Sequence, residues 1–203
     1  MKKSIIIPLL LLAGSTLFYT ACKKDTKTAT PDPTPTPVTP TPTPTLYERV
    51  GGTTSVADPK NSGTMIEQGR LTLRSVVDSA IYVIAGDPSM TPYFGVLLGE
   101  VSATPANTTG FAALSKNFTD FLCSATGSKN TAYTYTGKSM KAAHDPATNN
   151  RMGKKANAAD FDKFVGDIGT ALAKNGVTSA NNKALVDDLV ALLYTTKADV
   201  VQQ

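Results

Sequence analysis

An all-α domain behind a secretory leader and a proline-rich spacer is the fold class this sequence predicts, on three observations. Apolar residues recur at three- and four-residue spacing through four separate stretches, as one-sided helices require. Alternating runs of β-branched and polar residues, the mark of half-buried strands, do not occur. Helix punctuation stands where a periodic stretch begins and ends, with Asn157 ahead of one and Gly176 behind it.

Residues 1 to 21 carry Lys2 and Lys3, an apolar stretch from Ile5 to Ala13, and Ala21 directly before Cys22. That is the three-part layout of a bacterial secretory signal, and the cysteine makes it a lipoprotein signal cleaved before Cys22. Tyr19 stands where leucine is usual. Pro8 and Gly14-Ser15-Thr16 interrupt the apolar stretch, which falls short of the ~20 residues of a spanning helix. Lipid on Cys22 would anchor the chain to a membrane without crossing it, because each buried methylene contributes ~0.8 kcal/mol and two acyl chains suffice. The expected location is the cell envelope, on the periplasmic face or the cell surface.

Residues 22 to 45 form the lipid-anchored linker. From Lys23 onward Thr, Pro and Lys dominate without apolar periodicity, and at ~3.1 Å per residue in polyproline II these 23 residues could lift a domain on the order of 70 Å from the bilayer. Residues 46 to 203 suit one domain with a sizeable core.

Within that domain, the first helix is expected from about Met65 to Ala85, with Leu73, Val76, Val77, Ala80 and Ile84 facing inward. A second places Phe111, Leu114, Phe118, Phe121, Leu122 and Ala125 on one face, with Thr108 or Thr109 as its cap. The third carries Phe161, Phe164, Val165, Ile168 and Leu172, and the last Leu185, Leu189, Leu192 and Leu193. Cys123 is the only cysteine left after Cys22, which excludes an intrachain disulfide in the mature chain and reads as a small core residue. Charge points away from nucleic acid: without Lys2 and Lys3 there are 18 basic residues against 16 acidic ones, and Lys154-Lys155 is a short solvated cluster.

His144 is the one histidine, hence the one neutral imidazole available to a metal. It follows Tyr135-Thr136-Gly137 and, by four residues, Met140, and precedes the helix that opens at Phe161. Upstream stand Leu46-Tyr47-Glu48-Arg49-Val50-Gly51-Gly52, and Tyr93-Phe94 after Gly86-Asp87-Pro88. Taken together and in this order, these landmarks resemble a group I truncated haemoglobin.

The resemblance implies a truncated globin-like, two-over-two helical sandwich holding haem b, with His144 on the iron. It implies that Phe94 stacks on the macrocycle and that Leu114, Phe118, Leu122, Met140, Phe161 and Val165 line the pocket, although each alone would read as core. Lys141 and Arg151 are the expected partners of the haem carboxylates, with Thr136 and Lys138 behind them. On the distal side Ala80, or Ile81 if one residue is inserted near Gly86, stands where the family commonly has tyrosine, and Phe118 where it has glutamine. Tyr82 and Asn117 lie about 100° or more around their helices from those places. The implied distal pocket is apolar, which disfavours oxygen more than carbon monoxide or nitric oxide.

Residues 53 to 64 and 95 to 109 exceed the family's usual length, and residues 145 to 157 lengthen the connection after His144. Such additions cost little, about 0.6 kcal/mol per doubling of loop length. The implied activity is reversible binding of a diatomic gas (oxygen, nitric oxide or carbon monoxide) at the envelope. Two alternatives stay open: a haem-handling or structural surface lipoprotein, and a nitric oxide dioxygenase or peroxidase served by an external electron donor.

Overall fold

The computed structural model describes residues 42–203. The expected leader, Cys22 and the spacer through Thr41 lie outside the described residues. The helices are α1 (Leu46–Arg49), α2 (Gln68–Ala85), α3 (Thr91–Ser102), α4 (Thr109–Thr126), α5 (Met140–Ala143), α6 (Ala158–Lys174), α7 (Ser179–Tyr194) and α8 (Lys197–Val200). Helix α2 packs against both α4 and α6, and α6 against α7, so that α2 with α4 forms one layer over α6 with α7.

The opening signature is a lock on the start of α2. Thr45 and Glu48 cap α1 reciprocally: the Glu48 N–H donates to Thr45 Oγ1 at 3.2 Å and the Thr45 N–H to Glu48 Oε2 at 2.6 Å. Gly51 and Gly52 then turn the chain with φ of 124° and 56°, where only glycine sits without strain. The Gly69 N–H donates to the Gly52 carbonyl at 2.9 Å. Tyr47 is buried beside this turn and donates to Glu67 Oε2 at 2.7 Å.

The expectation of no strands, with a helix from Met65, needs correction. Ser55–Ala57 (β1) pairs antiparallel with Met65–Glu67 (β2), with Val56 opposite Ile66, and α2 begins only at Gln68. Three-residue strands are too short to display alternation in a sequence. Asp58 closes the hairpin as an Asx-type turn, accepting from the Lys60 N–H at 2.9 Å and Asn61 Nδ2 at 2.8 Å. Arg74 on α2 donates to both Asp58 oxygens, at 3.1 and 2.6 Å, and holds that carboxyl well below the usual carboxylate range.

The inner face of α2 is the one the periodicity predicts: Leu73, Val76, Val77, Ala80 and Ile84 are all buried. Helix α4 differs. Its deeply buried residues include Thr119, Asp120, Leu122 and Cys123, while Phe111, Leu114, Phe118 and Phe121 are only half-buried. Arg70 of α2 makes the polar half of this contact possible, donating to Asp120 Oδ1 at 2.6 Å and approaching Cys123 Sγ at 3.8 Å. Burial pushes the Cys123 thiol up to about 11, which keeps it protonated. Thr108 takes the N-cap position, as expected, but without a side-chain bond; Asn107 Oδ1, one residue earlier, accepts the Thr109 N–H at 3.0 Å instead.

Asn157 caps α6 through the Ala159 and Asp160 N–H groups at 2.8 and 3.0 Å, and Gly176, with φ of 78°, follows its end. The tail returns to this cap. Val201 bridges Ala156 in parallel, the Gln202 N–H donates to the Ala156 carbonyl at 3.0 Å, and Gln202 Nε2 reaches the Lys141 carbonyl at 2.8 Å. Among the described residues no helix is long and apolar enough to cross a membrane.

A candidate cofactor cavity around His144

Helices α3, α4, α5 and α6, with the connection after His144, enclose a cavity of about 420 Å³. This lies within the roughly 300 to 1,000 Å³ typical of small-molecule and cofactor sites. The half-buried stripe of α4 is its wall: Leu114, Phe118 and Phe121 face Phe94 of α3 and Phe161 and Phe164 of α6. The Phe118 and Phe164 ring centres are 6.1 Å apart, and those of Phe161 and Phe164 6.3 Å, contact distances for tilted aromatic pairs. Phe121 meets Tyr135 edge-on at 6.1 Å, and the Tyr135 hydroxyl donates to the Lys138 carbonyl at 2.5 Å.

His144 closes α5 as its C-cap and lines the same cavity. Its Nδ1 lies 2.8 Å from the Met140 carbonyl oxygen. A carbonyl can only accept, so Nδ1 carries the hydrogen and Nε2 keeps its lone pair. Burial holds the imidazole below its ordinary pKa, which favours the neutral, ligating form. Asn149 Nδ2 donates to the Ala143 carbonyl at 2.6 Å and satisfies the end of α5 beside it.

One imidazole is a poor metal site by itself. Among the described residues no group of three or more His, Cys, Asp or Glu gathers to hold an ion. The donor set fits a metal that arrives with its own in-plane donors and needs one axial nitrogen, as haem iron does. A flat aromatic slot beside that nitrogen and two cationic side chains on the lining, Lys138 and Arg151, fit the rest of such a group.

The structure brings together Phe94, Leu114, Phe118, Met140, His144 and Phe161 on one cavity. Leu122 is elsewhere: one step past Phe121, about 100° around the helix, it lines a separate apolar cavity of about 240 Å³ against α2, α6 and α7. Val165 is buried in the core, and Lys141, one step past Met140, is exposed, as is Thr136. Ala80, Ile81 and Phe118 do meet, around a void of about 30 Å³ shared with Phe94, Leu114 and Phe164. Tyr82 is 81% exposed and turned from this space.

Sequence reasoning set Asn117 aside as turned from the distal position and did not name Asn149 or Met152, and all three, with Tyr93, are on the cavity lining. Asn117 is an exposed residue on the lining, next to Phe118 on α4. The connection that supplies Asn149 and Met152 has no periodicity to read. Tyr93 was noticed only as the companion of Phe94. Its hydroxyl is buried without a hydrogen-bond partner among the described residues, and burial pushes the phenol up.

No family model matches the chain, and neither does any curated protein. Solved structures do match. A truncated hemoglobin from Tetrahymena pyriformis, a point variant in its Fe(III) form, superposes with a TM-score of 0.51 at 19% identity, covering 79% of this chain and 100% of its own. The described domain therefore has the truncated haemoglobin fold, an all-α sandwich that carries longer connections and a short β-hairpin.

Proposed function

We propose that this protein is a haem b globin of the group I truncated class that reversibly binds a diatomic gas, tethered to the bacterial cell envelope by lipid on Cys22. The observation that carries the reading is the His144 imidazole, whose Nδ1–H is committed to the Met140 carbonyl while Nε2 is left for a metal at the cavity. Haem, when bound, would supply the iron on which the gas is held. His144 would hold that iron on one side and be oriented by α5. Phe94, Phe161 and Phe164 would fix the plane of the cofactor and exclude water from it.

Around the small void Ala80, Ile81 and Phe118 offer no hydrogen bond, so a gas held beside them would find polar oxygen stabilised less than carbon monoxide or nitric oxide. The envelope location rests on the charged, apolar, small-residue order that ends at Ala21-Cys22 and on the spacer that follows it.

The absorption spectrum of the purified protein, as isolated, reduced, and then exposed to carbon monoxide, tests cofactor, coordination and access together. Stoichiometric haem with a carbon monoxide shift on reduction is expected. A folded protein that takes up no haem even when haem is added would refute the reading. Mass spectrometry of the membrane-extracted protein should find a chain beginning at an acylated Cys22, and an intact Met1 would remove the anchor.

A further inference from the structure

We propose that Arg151 is a carboxylate clamp at the mouth of the cavity and that Glu100 is the residue that aims it. The proposal rests on the haem reading above and names the part of the chain that would hold the cofactor's acidic edge. Glu100 stands near the C-terminal end of α3, so the expected insertion at 95 to 109 is helix as far as Ser102, and Arg151 comes from the connection at 145 to 157. Arg151 Nε donates to Glu100 Oε1 at 2.8 Å.

That bond is single where guanidinium and carboxylate usually make two parallel ones. Glu100 Oε2 is buried without a hydrogen-bond partner, and no other Arg151 side-chain bond is made among the described residues. A guanidinium has five N–H donors, so gripping it by Nε alone leaves both Nη groups free. Arg151 is itself part of the cavity lining. Two free Nη groups in one plane match the two oxygens of a carboxylate, a fit that an ammonium cannot offer.

The surroundings fix this aim. A Cβ on Gly110 would fall 2.3 Å from Glu100 Oε2 and 3.0 Å from Arg151 Nε, so the pair packs directly against the first turn of α4 and a side chain there would have to displace it. The connection is seated next door: the Gly153 N–H donates to the Tyr93 carbonyl at 3.0 Å, and a Cβ on Gly153 would fall 2.0 Å from the Pro92 carbonyl oxygen. Two other cations here have one partner each, and neither offers a planar pair of donors. The Lys138 ammonium donates to the Thr148 carbonyl, and the Lys154 ammonium lies 4.7 Å over the Tyr93 ring.

The test compares haem with haem dimethyl ester, whose carboxylates are blocked, by timing transfer of each from the loaded protein to an excess of an acceptor apoglobin. The wild type should release the ester about tenfold or more faster than haem, from loss of a charge-assisted pair. Arg151→Ala should release haem about as fast as the wild type releases the ester, and the two cofactors should then leave at nearly equal rates. Glu100→Gln, which keeps shape and loses charge, should speed haem release a few-fold and leave ester release unchanged. Equal acceleration of both cofactors in Arg151→Ala would make its role structural and overturn the clamp. An unchanged haem rate in Arg151→Ala would overturn it too, and an unchanged rate in Glu100→Gln would remove Glu100 from it. A wild type that binds neither cofactor would instead refute the haem reading itself, a result recognisable before any variant is made.

Discussion

At His144 the direction of one hydrogen bond sets the chemistry, because the Met140 carbonyl accepts the Nδ1–H and so leaves the Nε2 lone pair free. Replacing His144 by Gly should remove the haem absorption band, and added imidazole should restore it by filling the space the side chain left. Phe118→Gln would place one hydrogen-bond donor at the void shared with Ala80 and Ile81, where the proposed reading puts the gas. It should slow oxygen release roughly 2- to 10-fold, the worth of one neutral hydrogen bond, as stopped-flow displacement by carbon monoxide would measure. Tyrosine at Ala80 is the poorer test: Ala80 is 0% exposed and the void beside it is about 30 Å³, so a phenol would cost ~1 to 3 kcal/mol in overpacking before it met a ligand. That His144 and Phe94 share one cavity was legible because uniqueness and motif order marked them. Lys141 was not, since a one-residue step along a short helix turns a side chain from the cavity to water.

Among the elements, α2 was the most legible and α4 the least. Every inner position of α2 can be read from period alone, and Leu73→Ala should cost about 2 to 5 kcal/mol, measured as a lower urea midpoint at constant slope. In α4 the aromatic stripe dominates the pattern, yet that stripe faces the cavity, while the contact with α2 is made by Asp120 and Cys123 under Arg70. Nothing in the period of one helix announces a polar contact whose partner lies on another. The β-hairpin was hidden by its shortness, but its tie to α2 has a clear titration signature. Asp58 is held below its ordinary value of 3.8, so the stability it contributes is complete above that pH and is lost as pH falls through and below it. Unfolding of Asp58→Asn should therefore be less steeply pH-dependent than wild type below about pH 4, and less stable at neutral pH, in urea titrations run across that range.

For the whole molecule, the sandwich could be expected from four periodic stretches and a set of ordered landmarks, whereas the closure of the cavity could not. Its rim is built from residues 145 to 157, a segment of turns and side-chain bonds whose geometry depends on α3 and α6 being in place first. The tail completes that rim, because Gln202 holds both the Ala156 carbonyl at the start of α6 and the Lys141 carbonyl in the helix that ends at His144. This has a practical consequence for anyone who labels or immobilises the protein. A purification tag or surface tether fused directly after Gln203 would pull on the segment that steadies α5 and His144, and deletion of Gln202 and Gln203 should hasten haem escape in the apoglobin transfer assay while leaving the helical circular dichroism nearly unchanged. A tether placed ahead of Thr45 enters the domain at the cap of α1 and should leave the escape rate as it is.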